Sequence, residues 1–196
     1  LHLDNQGKVS DALFHVQEFR GFEKFCEGTL AERLPLITPR RCGICPVTHH
    51  LASSKALDSC FGVQLTETAK KLRELLMHGQ YIESHVLSLT VLSLPDLLYP
   101  DGEAEQRNVL HLYEAQPKVA KAALKLRAVG TAICQTLGRR PGHPIGSKAG
   151  GMVLPLSKQE QEDLLAQINE AKPLLDGFTT LMREVVSRRP ELFEEL

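Results

Sequence analysis

Arg40-Arg41-Cys42-Gly43-Ile44-Cys45-Pro46-Val47-Thr48-His49-His50-Leu51-Ala52 reads as a metal hook set where a turn runs into a helix. Two thiols at this spacing converge on one centre only if the backbone between them turns tightly, and Gly43 supplies the permissive residue. Pro46 suits the first helical position, where its missing N–H costs nothing, which makes Cys45 the N-cap. A sulfur there faces free backbone N–H groups and the positive end of the helix dipole, so the Cys45 thiol pKa is expected to fall. In a helix from Pro46, His49 lies one turn after Cys45 on the same face, near enough to donate a hydrogen bond toward the sulfur, while His50 points elsewhere. Bonds of ~2.3 Å to a shared metal require the two sulfurs to converge, within ~4–7 Å of each other.

Upstream of the hook, apolar positions flank Asn5-Gln6-Gly7 and the run Leu13-Phe14-His15-Val16 is β-prone, which predicts a small N-terminal hairpin. From Gly21 the period becomes helical up to Glu27, with Gly28 as the C-cap. Downstream, nearly everything reads as helix. Apolar residues from Leu65 to Leu92 recur at helical spacing and predict a long helix near 66–94, stopped by Pro95. Pro117 opens a second helix to Leu137 with Gly138 as its cap. Ser157 and Glu160 form a capping box for a third near 157–187, which Pro173 should kink or split. Arg139 to Pro155 holds four glycines and three prolines, too irregular for helix and long for a connector. The expected fold is mainly α with a small N-terminal β-hairpin, β-structure being confined to residues 1–20.

The 196 residues, 42% hydrophobic and 24% charged, suffice for one sizeable core. Lys and Arg number 23 against 24 Asp and Glu, so no basic field exists to hold nucleic acid or an anionic membrane surface. The longest strongly apolar stretch, Val86 to Leu94, is nine residues, well short of the roughly 20 that span a bilayer. Five cysteines at irregular spacing suit reduced thiols, and with no export signal visible the expected location is cytoplasmic.

A CxxC pair also occurs in structural zinc sites and in redox dithiols. A structural zinc needs four ligands, and Cys42 and Cys45 would have to recruit His49, His50 or the distant Cys26, Cys60 or Cys134. A thioredoxin-like pair expects an open α/β sheet rather than a helical array. A helical assembly module with a structural zinc-type CxxC stands as the reading opposed to an enzyme.

The pattern Arg40-x-Cys42-Gly43-x-Cys45-x-x-x-His49 resembles the N-terminal signature of nickel-iron hydrogenase large subunits. Phe19-Arg20-Gly21-Phe22-Glu23, Leu51-Ala52-Ser53, and His143-Pro144 followed by Gly150-Gly151 are similar to that family in the same order, so the resemblance covers nearly the whole chain. The Cys-Pro-Val-Thr-His-His form looks more like the cytoplasmic, multi-subunit, cofactor-coupled branch than the periplasmic uptake branch. The resemblance implies the family's large-subunit fold, a long-helix bundle with some β-structure, and reversible H2 oxidation by heterolytic cleavage. It further implies a nickel-iron centre with carbonyl and cyanide on the iron, held by two CxxC pairs. Cys42 matches the terminal nickel ligand and Cys45 the ligand bridging nickel and iron, roles that soft thiolates suit. His49 matches the histidine beside the bridging sulfur, so Cys42, Cys45 and His49 are the candidate catalytic residues. Glu23 matches an acidic ligand to a structural magnesium. The implied partners are electron-transfer subunits and an iron-sulfur small subunit, with H2 and protons as substrates.

The family's second motif, Asp-Pro-Cys-x-x-Cys-x-x-His, is absent, as is the Arg-Ile-Glu-Gly-His-like stretch bearing its usual proton gate. Residues 1–196 are therefore expected to form a single incomplete domain, inactive alone, that is the N-terminal and central part of a large subunit; a hydrogenase-like paralogue is the other reading. Such a domain should leave a large apolar face exposed. Elsewhere, His78 and His85, with Glu83 nearby, read as partly buried histidines of a packed helix rather than a metal face. Cys60 and Cys134 read as core, and Arg127, Arg139 and Arg140 as solvated charges.

Overall fold

Asp4 starts the first turn by accepting from the N–H groups of Gln6 and Lys8 at 2.8 and 3.0 Å, and Gly7 takes φ +76° to complete it. On either side β1 (His2–Leu3) and β2 (Val9–Asp11) pair antiparallel, the hairpin that the sequence predicts. Leu13 lies beyond the strand, and Phe14–Val16 fall outside the residues described by this computed structural model, which are 1–13, 21–188 and 190. With α1 (Phe22–Cys26), ended ahead of Gly28 at φ +75°, the hairpin belongs to the first of two compact units, Leu1–Leu30. The second is Ala31–Leu196.

In the second unit a 3-10 turn leads into α2 (Leu34–Ile37), and another, Thr38–Arg41, leads out of it toward the cysteines. α3 (Pro46–Phe61) starts on its proline and ends at Gly62 in the left-handed region. α4 (Glu67–Leu87) is capped by Thr66, whose hydroxyl accepts the Ala69 N–H at 3.2 Å. Pro95 does not stop this helical path. The chain widens into π-turns over Ser88–Ser93, and Pro95 then sits in the first turn of α5 (Leu94–Leu98), where a missing N–H is harmless. α6 (Val109–Ala115), which the sequence reading missed, is capped by the Asn108 side chain.

α7 (Pro117–Gly138) follows expectation, except that its left-handed cap is Arg139 at φ +60° rather than Gly138. Gly138 is small for another reason: a Cβ there would lie 2.9 Å from Pro144 Cβ. Nor is β-structure confined to residues 1–20. β3 (Ser147–Lys148) and β4 (Gly151–Met152) form a second antiparallel hairpin whose turn uses Gly150 at φ +80°. α8 (Lys158–Arg188) opens with the reciprocal box, Ser157 N–H to Glu160 Oε2 at 2.7 Å and Glu160 N–H to Ser157 Oγ at 3.2 Å. It runs through Pro173 as one element instead of splitting, because Ala171 and Phe178 on either side are held in the core. Among the described residues no helix is long and apolar enough to cross a membrane.

The core lies where α4, α7 and α8 pack, around Leu76, Ile133 and Leu137, each at most 1% exposed. Glycines set the closeness of α4 and α7. A Cβ on Gly130 would lie 2.6 Å from Glu83 N and 2.7 Å from Gly79 O, so the two backbones touch. The same three helices border an apolar groove of about 810 Å³, with Leu75, Ile82, Leu126, Leu175 and Phe178 in its walls. Leu175 in its wall is exposed, whereas Leu126 and Phe178 are buried.

Candidate metal centre

Cys42 follows the 3-10 turn Thr38–Arg41, and Cys45 stands at the N-cap of α3 with Pro46 as the first helical residue. Both are partly buried. Their sulfurs are 2.6 Å apart, closer than the expected ~4–7 Å; the Cys45 thiol is paired with Cys42 Sγ, which also accepts the Cys45 N–H at 3.2 Å. The Cys45 thiol therefore holds the Cys42 pKa below its ordinary value; burial opposes this and the Arg41 charge assists it. The Cys45 thiol, as the donor in that bond and partly buried, is pushed up. This reverses the expectation from helix position alone. The Cys45 sulfur bonds back to Cys42 and makes no cap bond to the first turn of α3.

His49 joins the pair: one ligand atom from each of Cys42, Cys45 and His49 lies within 4.8 Å of the others. No other group of His, Cys, Asp or Glu among the described residues converges in this way. Two soft thiols and an imidazole suit nickel better than a hard cation, and three donors fall short of the closed set of four that a structural zinc takes. The zinc-type alternative is not favoured.

Behind the hook stands a buried polar clamp that the sequence reading missed. His50 is completely buried, with Nδ1 2.6 Å from the Pro35 carbonyl and Nε2 2.8 Å from the Ser147 N–H. Nδ1 therefore carries the proton and donates, while Nε2 accepts. Burial lowers the His50 pKa; the bond to Pro35 opposes this and the Arg73 charge adds to it. Two turns further on, Asp58 accepts from Arg73 Nη1 at 2.5 Å and from the Gly150 N–H at 2.8 Å. Burial works against the Asp58 carboxylate, but these partners prevail and its pKa is lowered. Arg73 Nη2 also donates to the carbonyls of Lys148 and Gly151 at 2.7 and 3.3 Å. The irregular 139–155 loop is thereby pinned, through the β3–β4 hairpin, to α3 and α4. The available signal was His50 and Ser54 standing among Val47, Leu51 and Leu57 on the buried face of α3.

The remaining candidates lie elsewhere. Glu23 is exposed on α1 in the first unit, and no metal-holding group of described residues includes it. Cys134 is core as expected, and burial, helped by the Glu83 charge, pushes its thiol up to about 12. Cys60 is not core: it is exposed. His78 and His85 flank Tyr81 along the apolar groove, whereas Glu83 bonds Arg127 and Thr131 at 3.3 and 3.2 Å, so the three share no metal face. Arg139 is mostly buried and bonds Glu160 and the Pro155 carbonyl, each at 2.5 Å, rather than standing in solvent.

This arrangement has known counterparts. Residues 20–100 match the model of the family described as nickel-dependent hydrogenase. Over 192 residues the chain is 43% identical to its counterpart in the F420-non-reducing hydrogenase vhc of Methanococcus voltae, covering 97% of this chain and 40% of that protein. It is 41% identical over 172 residues to the beta subunit of the NAD-reducing hydrogenase HoxS of Cupriavidus necator, covering 84% of this chain and 35% of that one. Among solved structures, an NAD+-reducing NiFe-hydrogenase in the H2-reduced state superposes with a TM-score of 0.88 at 35% identity, over 97% of this chain and 43% of that one. The Ni-Fe-Se hydrogenase of D. vulgaris Hildenborough shares the fold, with a TM-score of 0.79 over 90% of this chain and 39% of that one, at 24% identity. Residues 20–100 thus match the nickel-dependent hydrogenase family, and the chain shares the fold of the part of these hydrogenases that it covers. It spans less than half the length of these relatives.

Proposed function

We propose that this chain supplies one of the two thiolate pairs of the nickel-iron centre in a hydrogenase that oxidises H2 reversibly. The convergence of Cys42, Cys45 and His49 within 4.8 Å carries the reading. When bound, a nickel-iron centre with carbonyl and cyanide on its iron supplies the Lewis acidity that polarises H2 for heterolytic cleavage. Cys42, whose pKa is lowered, would serve as the terminal nickel ligand, and Cys45, once deprotonated, would serve as the bridging one. His49 orients that sulfur from the next turn of α3. Glu23 would be a ligand to a structural magnesium in the complete protein. Residues 1–196 form part of one larger domain, which works in the cytoplasm beside electron-transfer subunits and an iron-sulfur small subunit.

The test is metal analysis of the complete large subunit purified with its partner subunits. Nickel and iron in equal amounts, lost on Cys42→Ser or Cys45→Ser, support the reading. One zinc per chain and no nickel would replace it with the assembly-module reading.

A further inference from the structure

Cys45 occupies the N-cap of α3 without capping it. An α-helix begins with N–H groups that lack intrahelical partners, and the N-cap side chain normally accepts one of them. Pro46 has no N–H to satisfy. Val47, the next residue, is 2% exposed, so its N–H cannot turn to water. That N–H points instead to Gln80 Oε1 on α4, at 3.4 Å. The other end of the same carboxamide, Gln80 Nε2, donates to the Ile44 carbonyl at 3.0 Å. A flipped amide would set NH2 against N–H and oxygen against oxygen, so these two partners fix its orientation.

One side chain thus holds the backbone on both sides of Cys45. Gln80 is itself only 2% exposed. It follows Gly79, where α4 lies so close to α7 that an added Cβ would be 2.7 Å from Ile133 Cγ2. The clamp is mounted where α4 has least freedom to shift.

We propose that Gln80 is a positioning residue for the metal site: it caps α3 from the neighbouring helix, releases the Cys45 sulfur from capping, and fixes the direction in which that sulfur leaves the backbone. The proposal rests on the reading of Cys42 and Cys45 as metal ligands. A core glutamine that served stability alone would have no bearing on the cysteines. Gln80 takes both its partners from the residues that flank Cys45.

The experiment compares Gln80→Leu and Gln80→Glu in the complete large subunit purified with its partner subunits. The control is Val185→Ala, a core substitution in the separate cluster around Leu94 and Leu112. Gln80→Glu preserves shape and the acceptor for Val47 but loses the donor to Ile44. Three quantities are read: nickel per protein at limiting nickel, the g values of the nickel EPR signal, and the alkylation rates of Cys42 and Cys45 in metal-free large subunit. Gln80→Leu is expected to lower nickel occupancy about 10-fold and Gln80→Glu by less, with shifted g values and faster alkylation in both. Val185→Ala should lower Tm and move none of the three. Wild-type nickel content, g values and alkylation rates in the Gln80 variants would overturn the proposal, whatever happens to Tm. Should Gln80→Leu fail to fold, Gln80→Glu decides. A wild-type protein without nickel would end the hydrogenase reading, and the alkylation rates would still judge Gln80.

Discussion

Two faces of α4 meet opposite surroundings. On one, Arg73 and Gln80 are buried and bonded to backbone groups of the 147–151 hairpin and of the cysteine turn. On the other, Leu75, His78, Ile82 and His85 look into the apolar groove. The difference follows from what each kind of surface demands. A buried polar group left without a partner costs ~1–3 kcal/mol, so the face behind the metal hook must be completed bond by bond within the fold. Apolar surface makes no such directional demand and costs only ~25 cal/mol per Å² while exposed. The polar face is bonded within the fold except at Arg73 Nε, whereas the apolar face borders an open groove.

The largest expected effect comes from removing the polar clamp. Arg73 and Asp58 are 6% and 12% exposed, so Arg73→Leu strands a desolvated carboxylate together with the Lys148 and Gly151 carbonyls. Stripping one partner from a buried ion pair costs ~3–5 kcal/mol, to be read by chemical denaturation. A loss below ~1 kcal/mol would mean that the hairpin is not held from α4. Next comes the crossing that both faces share. Gly130→Ala drives a methyl into Glu83 N and Gly79 O, backbone atoms that cannot rotate away. A cost of ~1–3 kcal/mol is expected, with both the cysteine turn and the groove more open to hydrogen exchange.

The groove itself is tested by Leu175→Asp, at a position 51% exposed. In residues 1–196 alone the stability should move by no more than ~0.5 kcal/mol, while binding of an apolar dye falls. Destabilisation there as severe as that of Arg73→Leu would show the groove to be closed core and abolish the contrast. The smallest effect is expected at the helix start. The Ser157 N–H, with help from Arg139, holds the Glu160 carboxyl at about 2, down from 4.5. Its folded-state pKa is depressed, so its contribution is fully present above about pH 4.5 and is lost as pH falls toward about 2. Glu160→Gln should flatten the fall of Tm across that window and leave the metal site unchanged.

Whatever depends on neighbours along the chain could be read from the residues alone. Pro46 started α3 where its fixed φ suits a first turn, Ser157 and Glu160 closed their box three residues apart, and the Cys42-Gly43-Ile44-Cys45 turn brought two thiols together. The family was legible from the same short stretch. Long-range packing settled what lies between distant segments. Which thiol is the easier to ionise depends on the direction of one S–H bond, which helix position alone did not reveal. Helical spacing gives no warning that His50 takes an N–H from Ser147 or that Gln80 reaches Ile44, because hydrogen-bond partners far along the chain leave no period in it. The second hairpin was illegible because strands of two residues are too short to alternate. They exist because His50, Asp58 and Arg73 satisfy their backbone from outside.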